Sequence, residues 1–90
     1  MLKNWMSSYI PECEVFKQWI EINQSRGVAP SKKSAPLIST AEVLHGNRDF
    51  AASAGFYAAA TVHYFDGRPE MKELYENFPS VDEVRRMRQE

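Results

Sequence analysis

Glu42 and His45 stand at the Glu-x-x-His spacing by which one helix offers two ligands to a single metal ion. Cys13 could act as a thiolate and His63 as a general base, while Lys32, Lys33, Arg48 and the cluster Arg85, Arg86, Arg88 are the cations an anionic partner would meet. None of these groups completes a catalytic set. A carboxylate-rich metal site of the bundle type needs a second Glu-x-x-His pair, and the chain has only two histidines, His45 and His63. Cys13 lies on an apolar stripe, where a cysteine acts as a small buried hydrophobe rather than as a nucleophile. His63 shares a helix face with Phe56 and reads as a core histidine hydrogen-bonded through one nitrogen. No glycine-rich phosphate loop and no serine nucleophile motif is present. The expectation is a non-enzyme with no metal site and no cofactor.

The elements that must position these residues are helical. From Phe50 to Phe65 the chain carries no full charge, is rich in alanine and has no proline, so a central apolar helix is expected over about 49–65. At about 100° per residue, Phe50, Ala54, Tyr57, Thr61 and Tyr64 share one side, with Ala52, Phe56, Ala59 and His63 nearly opposite. Such a helix, apolar all round, belongs at the centre of a bundle, and it is shorter than the roughly 20 apolar residues of a membrane span. Gly55 in its middle costs about 1 kcal/mol relative to alanine. Together with Ala51 and Ala58 it suggests close approach of a second helix, with Trp5, Phe16, Trp19, Tyr75 and Phe78 as the large partners.

Upstream, Leu2, Trp5, Met6, Tyr9 and Ile10 form an amphipathic face that Cys13, Phe16 and Ile20 continue, joined by Val15, Trp19 and Ile22. Pro11 breaks the run into a short helix near residues 2–9 and a longer one to about Ser25, ended by Gly27. Residues 26–38, with two prolines around Lys32 and Lys33, read as a long basic loop and a candidate contact arm. Ser39 and Glu42 have capping-box spacing, so a short helix is expected from there to the left-handed turn at Gly46 and Asn47. After the central helix, Met71, Leu74, Tyr75 and Phe78 mark another helical face. Ser80 and Glu83 then cap a final helix with its acids first and its arginines last.

Ninety residues make one domain, 1–90, that buries only about 60 to 65% of its unfolded surface, so every helix must contribute to the core. The fold class expected is all-α, a compact bundle of four to five helices. The net charge of −1 excludes a strong global attraction to nucleic acid or membrane. A single cysteine, with no signal-peptide pattern at the N-terminus, points to a reducing, cytoplasmic setting. The functional expectation is a protein–protein interaction module, a small regulator, inhibitor or adaptor docking on a larger protein or enzyme complex. Its contact residues would be Trp5, Tyr9, Lys32, Lys33, Arg85, Arg86 and Arg88, of the aromatic and basic types that interfaces favour. Small domains without catalytic motifs are common among phage and mobile-element accessory proteins that block host enzymes. The alternative is a helix-turn-helix-like nucleic-acid binder over residues 39–65 using Lys32, Lys33, Arg48 and Arg85 to Arg88, although that second helix offers alanines and aromatics where base readout needs Arg, Lys, Asn or Gln. A homodimer seam is a further use for the aromatic residues.

Overall fold

The uncharged, alanine-rich stretch forms a helix at the expected place; among the described residues two more helices pack against it, and a third packs on one of those. The computed structural model describes residues 8–67 and 79–89. Among them are α1 (Ile10–Ser25), α2 (Ser34–Gly46), α3 (Phe50–His63) and α4 (Val81–Gln89), with no strand, so the chain is an all-α bundle. The helices expected near residues 2–9 and around Met71 to Phe78 fall outside the described residues, as do Trp5 and Tyr75.

The ends of α1 follow from local chemistry. Pro11 sits in its first turn, where the missing N–H would have had no helical acceptor. At the other end Gly27 takes φ +81°, and the N–H groups of Gly27 and Val28 donate to the carbonyls of Gln24 and Asn23. This is a Schellman stop, and Val28, 3% exposed, supplies its apolar contact. Cys13, Val15, Trp19 and Ile20 point into the core as the stripe requires. Trp19 is its hub. Its ring meets Tyr64 edge-on at 5.2 Å and Phe65 at 6.0 Å, and its Nε1 donates to the Pro79 carbonyl ahead of α4.

The long loop is shorter than expected, because α2 begins at Ser34 rather than near Ser39. Ser31 caps it, its Oγ accepting from the Ser34 N–H and its carbonyl from the Ala35 N–H. Pro36 then lies in the first turn of α2, where proline costs the helix no bond. Ser39 and Glu42 are therefore interior residues of α2 and not a capping box. The turn into α3 also differs. Gly46 ends α2 and Asn47 stays at φ −85°, while Arg48 takes the left-handed position at φ 66°. Asp49 caps α3 by accepting from the Ala52 N–H.

Two buried serines lock α2 against α3. Ser34 Oγ donates to the Ala60 carbonyl and Ser53 Oγ to the Ala41 carbonyl, both at 2.7 Å. On each helix the two bonding positions are seven residues apart, which is two turns along one face, and their order is reversed between the helices. The pair is an antiparallel hairpin whose small residues Ser34, Ala41, Ser53 and Ala60 are all buried. The opposite side of α3 is not covered. Tyr57, Tyr64 and Ala54 are buried, but Phe56 is 37% and Val62 75% exposed, so the helix is buried on one face and not all round. A Cβ added at Gly55 meets nothing within 4 Å among the described residues, so none of them makes the close approach expected at that glycine. α4 begins as its capping box dictates, with the Glu83 N–H donating to Ser80 Oγ. It is tied to α1 by Arg85, which forks onto both carboxylate oxygens of Glu12.

The two glycines should respond oppositely to alanine. Gly55→Ala gains helix propensity in open space and is expected to raise unfolding free energy by about 0.5 to 1 kcal/mol. Gly27→Ala places a Cβ in the left-handed region and should lower it by about 1 kcal/mol. Urea unfolding of both variants against the parent checks the pair of signs.

Candidate functional site

Three surfaces are candidates for contact: the outward face of α3, the scattered cations, and a cleft between α1, α2 and α3. The α3 face follows from its composition. Between Ser34 and Phe65 the only charged residues are Glu42, Arg48 and Asp49, so the hairpin has almost nothing polar to turn outward. Ala52, Gly55, Phe56, Ala59 and Val62 line the solvent side of α3. At its C-terminal end His63 is half-buried, with Nδ1 2.7 Å from Asp66 Oδ2, so it is an outward-facing paired histidine and not a core one.

The cations do not gather into one patch. Lys32 and Lys33 are exposed just ahead of α2, whereas Arg48 lies past its other end, about 20 Å away at 1.5 Å per residue. The guanidinium of Arg48 lies over the Phe50 ring, 6.0 Å from its centroid. Of the C-terminal arginines only Arg86 is both exposed and without a bonding partner among the described residues. Arg85 is half-buried between Glu12 and Asp82, and Arg88 donates to Gln18 Oε1. The Glu12 carboxylate, more than the neighbouring Asp82, raises the Arg85 pKa above its ordinary value. Arg85 and Arg88 thus both bond to α1, Arg85 half-buried and Arg88 still exposed. Tyr9 is half-buried and packs against the core. Trp5 lies outside the described residues.

The potential ligands and nucleophiles are also apart. Glu42 is exposed at the cleft, while His45 stacks edge-on against Phe50 at 5.1 Å. Among the described residues no group of three His, Cys, Asp or Glu side chains converges on a metal position. Cys13 is fully buried with its thiol donating weakly to the Phe50 carbonyl, and burial pushes its pKa up. A protonated, buried thiol is unreactive.

The cleft was not legible in the sequence. Lys17, Glu21 and Gln24 repeat at i, i+4 and i+7 along α1 and face Glu42 on α2, with Ile20 and Ile38 beneath them and Tyr57 of α3 at the floor. Its volume is about 160 Å³. Tyr57 is 2% exposed, and burial, followed by the charge of Glu42, pushes its hydroxyl up to about 12. The signal available in the sequence was the polar stripe of α1, which by itself reads as a solvated face.

No protein-family model, curated protein or solved structure matches the chain. No helix among the described residues is long and apolar enough to cross a membrane.

The raised Tyr57 pKa has a stability consequence with a definite sign. The neutral phenol is favoured in the native state, so its contribution is complete below about pH 10 and is lost as pH rises towards 12. Between about pH 9 and about pH 11.5 the parent should lose roughly 2 kcal/mol more unfolding free energy than Tyr57→Phe, measured by urea titration at both values.

Proposed function

We propose that this chain is a non-enzymatic protein–protein interaction module, a small regulator, inhibitor or adaptor that docks on a larger protein or enzyme complex through the outward face of α3. The observation that carries the reading is that face itself: an exposed Phe56 and Val62 around the small residues Ala52, Gly55 and Ala59, with no charge on it. Interface cores are depleted of charge and enriched in aromatics, and a neighbouring glycine and alanines let a partner approach the helix backbone. Gly55 fits this reading, since no described residue packs on it to compensate its helix cost. A phage or mobile-element accessory protein that blocks a host enzyme is the setting in which such a small module without a catalytic set belongs.

Nucleic-acid binding is the competing reading, supported by exposed Lys32, Lys33 and Arg86. It is the weaker one. Those cations are spread over separate elements, and the second helix of the hairpin turns alanines, Phe56 and Val62 outward where a recognition helix needs hydrogen-bond donors.

The test is affinity capture with the tagged chain at low and high salt and with nuclease, followed by titration of the identified partner. Phe56→Lys with Val62→Glu should weaken that partner's binding by at least about tenfold while leaving the thermal melt within a few degrees, since both side chains are solvent-facing. Arg86→Ala should leave it unchanged. Capture of nucleic acid instead, lost at high salt and in Lys32→Ala with Lys33→Ala, overturns the proposal in favour of the nucleic-acid reading. Self-association abolished by the α3 double variant would make the partner a second copy of the chain.

A further inference from the structure

The outward face of α3 has a symmetry that docking on a larger protein does not require. Arg48, Ala52, Gly55, Ala59, Val62 and Asp66 follow one another at steps of four, three, four, three and four residues, a spacing that reads the same from either end. The inner four share one side of α3, and Arg48 and Asp66 are exposed charges of opposite sign just beyond its two ends. The midpoint is level with Tyr57. About that midpoint Val62, 75% exposed, mirrors Ala52, and the mirror position of Phe56 falls between Gly55 and Ala59. Size and charge are therefore both arranged so that the face complements itself when it is turned end for end.

We infer that in the free protein this face is covered by the same face of a second copy, the two α3 helices running antiparallel about a two-fold axis at the level of Tyr57. The inference rests on the reading of the α3 face as the docking surface and states what occupies it before a larger partner does. Antiparallel pairing sets Arg48 of each copy level with Asp66 of the other, Val62 with Ala52, and the Phe56 ring over the hollow at Gly55 and Ala59. Asp66 has capacity for the second cation, since a carboxylate accepts from several donors and among the described residues only His63 Nδ1 meets it. A parallel pair fits worse, because it sets Arg48 against Arg48, Asp66 against Asp66 and ring against ring. Gly55 is open for the approach, with nothing within 4 Å of an added Cβ among the described residues. The face is small. Two large side chains among small ones fall short of the roughly 800 Å² per partner of a standard interface, so the pair is weak and exchanges. One face cannot hold both occupants, so self-pairing competes with docking and lowers the apparent affinity for the larger partner as the chain's own concentration rises.

The experiment is sedimentation equilibrium of the full chain from about 10 µM to about 1 mM, where a monomer–dimer equilibrium with a dissociation constant on the order of 100 µM is expected. Gly55→Leu separates a fitted pair from apolar stacking. It makes the face more apolar but fills the hollow, so it should weaken pairing at least about tenfold, with the fold checked by circular dichroism. Arg48→Glu should weaken pairing about fivefold through two lost ion pairs, and adding Asp66→Arg should restore it. These two residues are eighteen positions apart in one chain, about 27 Å at helical rise, so the rescue operates only between copies. A monomer throughout the range, pairing strengthened by Gly55→Leu, or no rescue by the charge swap overturns the proposal. The docking reading is judged separately. A captured partner lost in Phe56→Lys with Val62→Glu, beside a monomeric parent, keeps docking and overturns pairing; a fitted dimer with no captured partner, or with one indifferent to that variant, keeps pairing and overturns docking.

Discussion

The last carbonyls of α3 have no partner within their own helix, and the way they are satisfied organises the rest of the molecule. The Ala60 carbonyl accepts from Ser34 Oγ, the His63 carbonyl from Ser31 Oγ, and the Tyr64 carbonyl from the Ser31 N–H. The segment that caps α3 is therefore the one that starts α2, and Ser31 serves both helix ends at once. Tyr64 completes the clamp by donating from its hydroxyl to the Val28 carbonyl, 36 residues away. Residues 26–33 are held as a tight connection by these bonds, and Val28 and Ser31 within it are buried.

This clamp decides which faces remain free. Once Ser34 and Ser53 bond across the hairpin, α2 and α1 cover the Tyr57 side of α3 and leave the Phe56 side to solvent. A hydroxyl-to-carbonyl bond made away from water is worth about 1 kcal/mol, and it also needs close backbone approach, so small residues at these positions are a geometric requirement. The same packing sets α1 far enough from α2 for the Tyr57 cleft to form between Glu21 and Glu42. The apolar face and the acidic cleft lie on different sides of one helix, α3, and are consequences of a single packing choice.

Charge is distributed to match. Among the described residues α1 and α4 carry most of the ionic groups and are joined by the Arg85 to Glu12 fork, while the α2–α3 hairpin carries three charged residues over its whole length. A bidentate guanidinium to carboxylate pair, half-buried, holds two helices in register better than a single exposed ion pair would. Two of the arginines that resembled a basic contact cluster, Arg85 and Arg88, bond across to α1. The net charge near zero hides a molecule with one ionic layer and one nearly neutral layer.

The sequence by itself determined the all-α class, the existence and approximate limits of α1 and α3, the Gly27 stop and the capping box of α4. Those features depend on residues within about one turn of each other, through helix propensity, periodicity and local hydrogen bonds. It also identified the side of α3 carrying Phe50, Tyr57 and Tyr64 as distinct from the side carrying Phe56 and His63, but gave no reason to prefer burial of one. Only the tertiary structure decided that, because the deciding bonds join Ser34 to Ala60, Tyr64 to Val28 and Arg85 to Glu12 across 26 to 73 residues of chain. The early start of α2 was lost for the same reason: Ser31 gains its place from the Tyr64 and His63 carbonyls, and its neighbours Pro30 and Pro36 read locally as a loop. The cleft was invisible because its lining residues come from three helices.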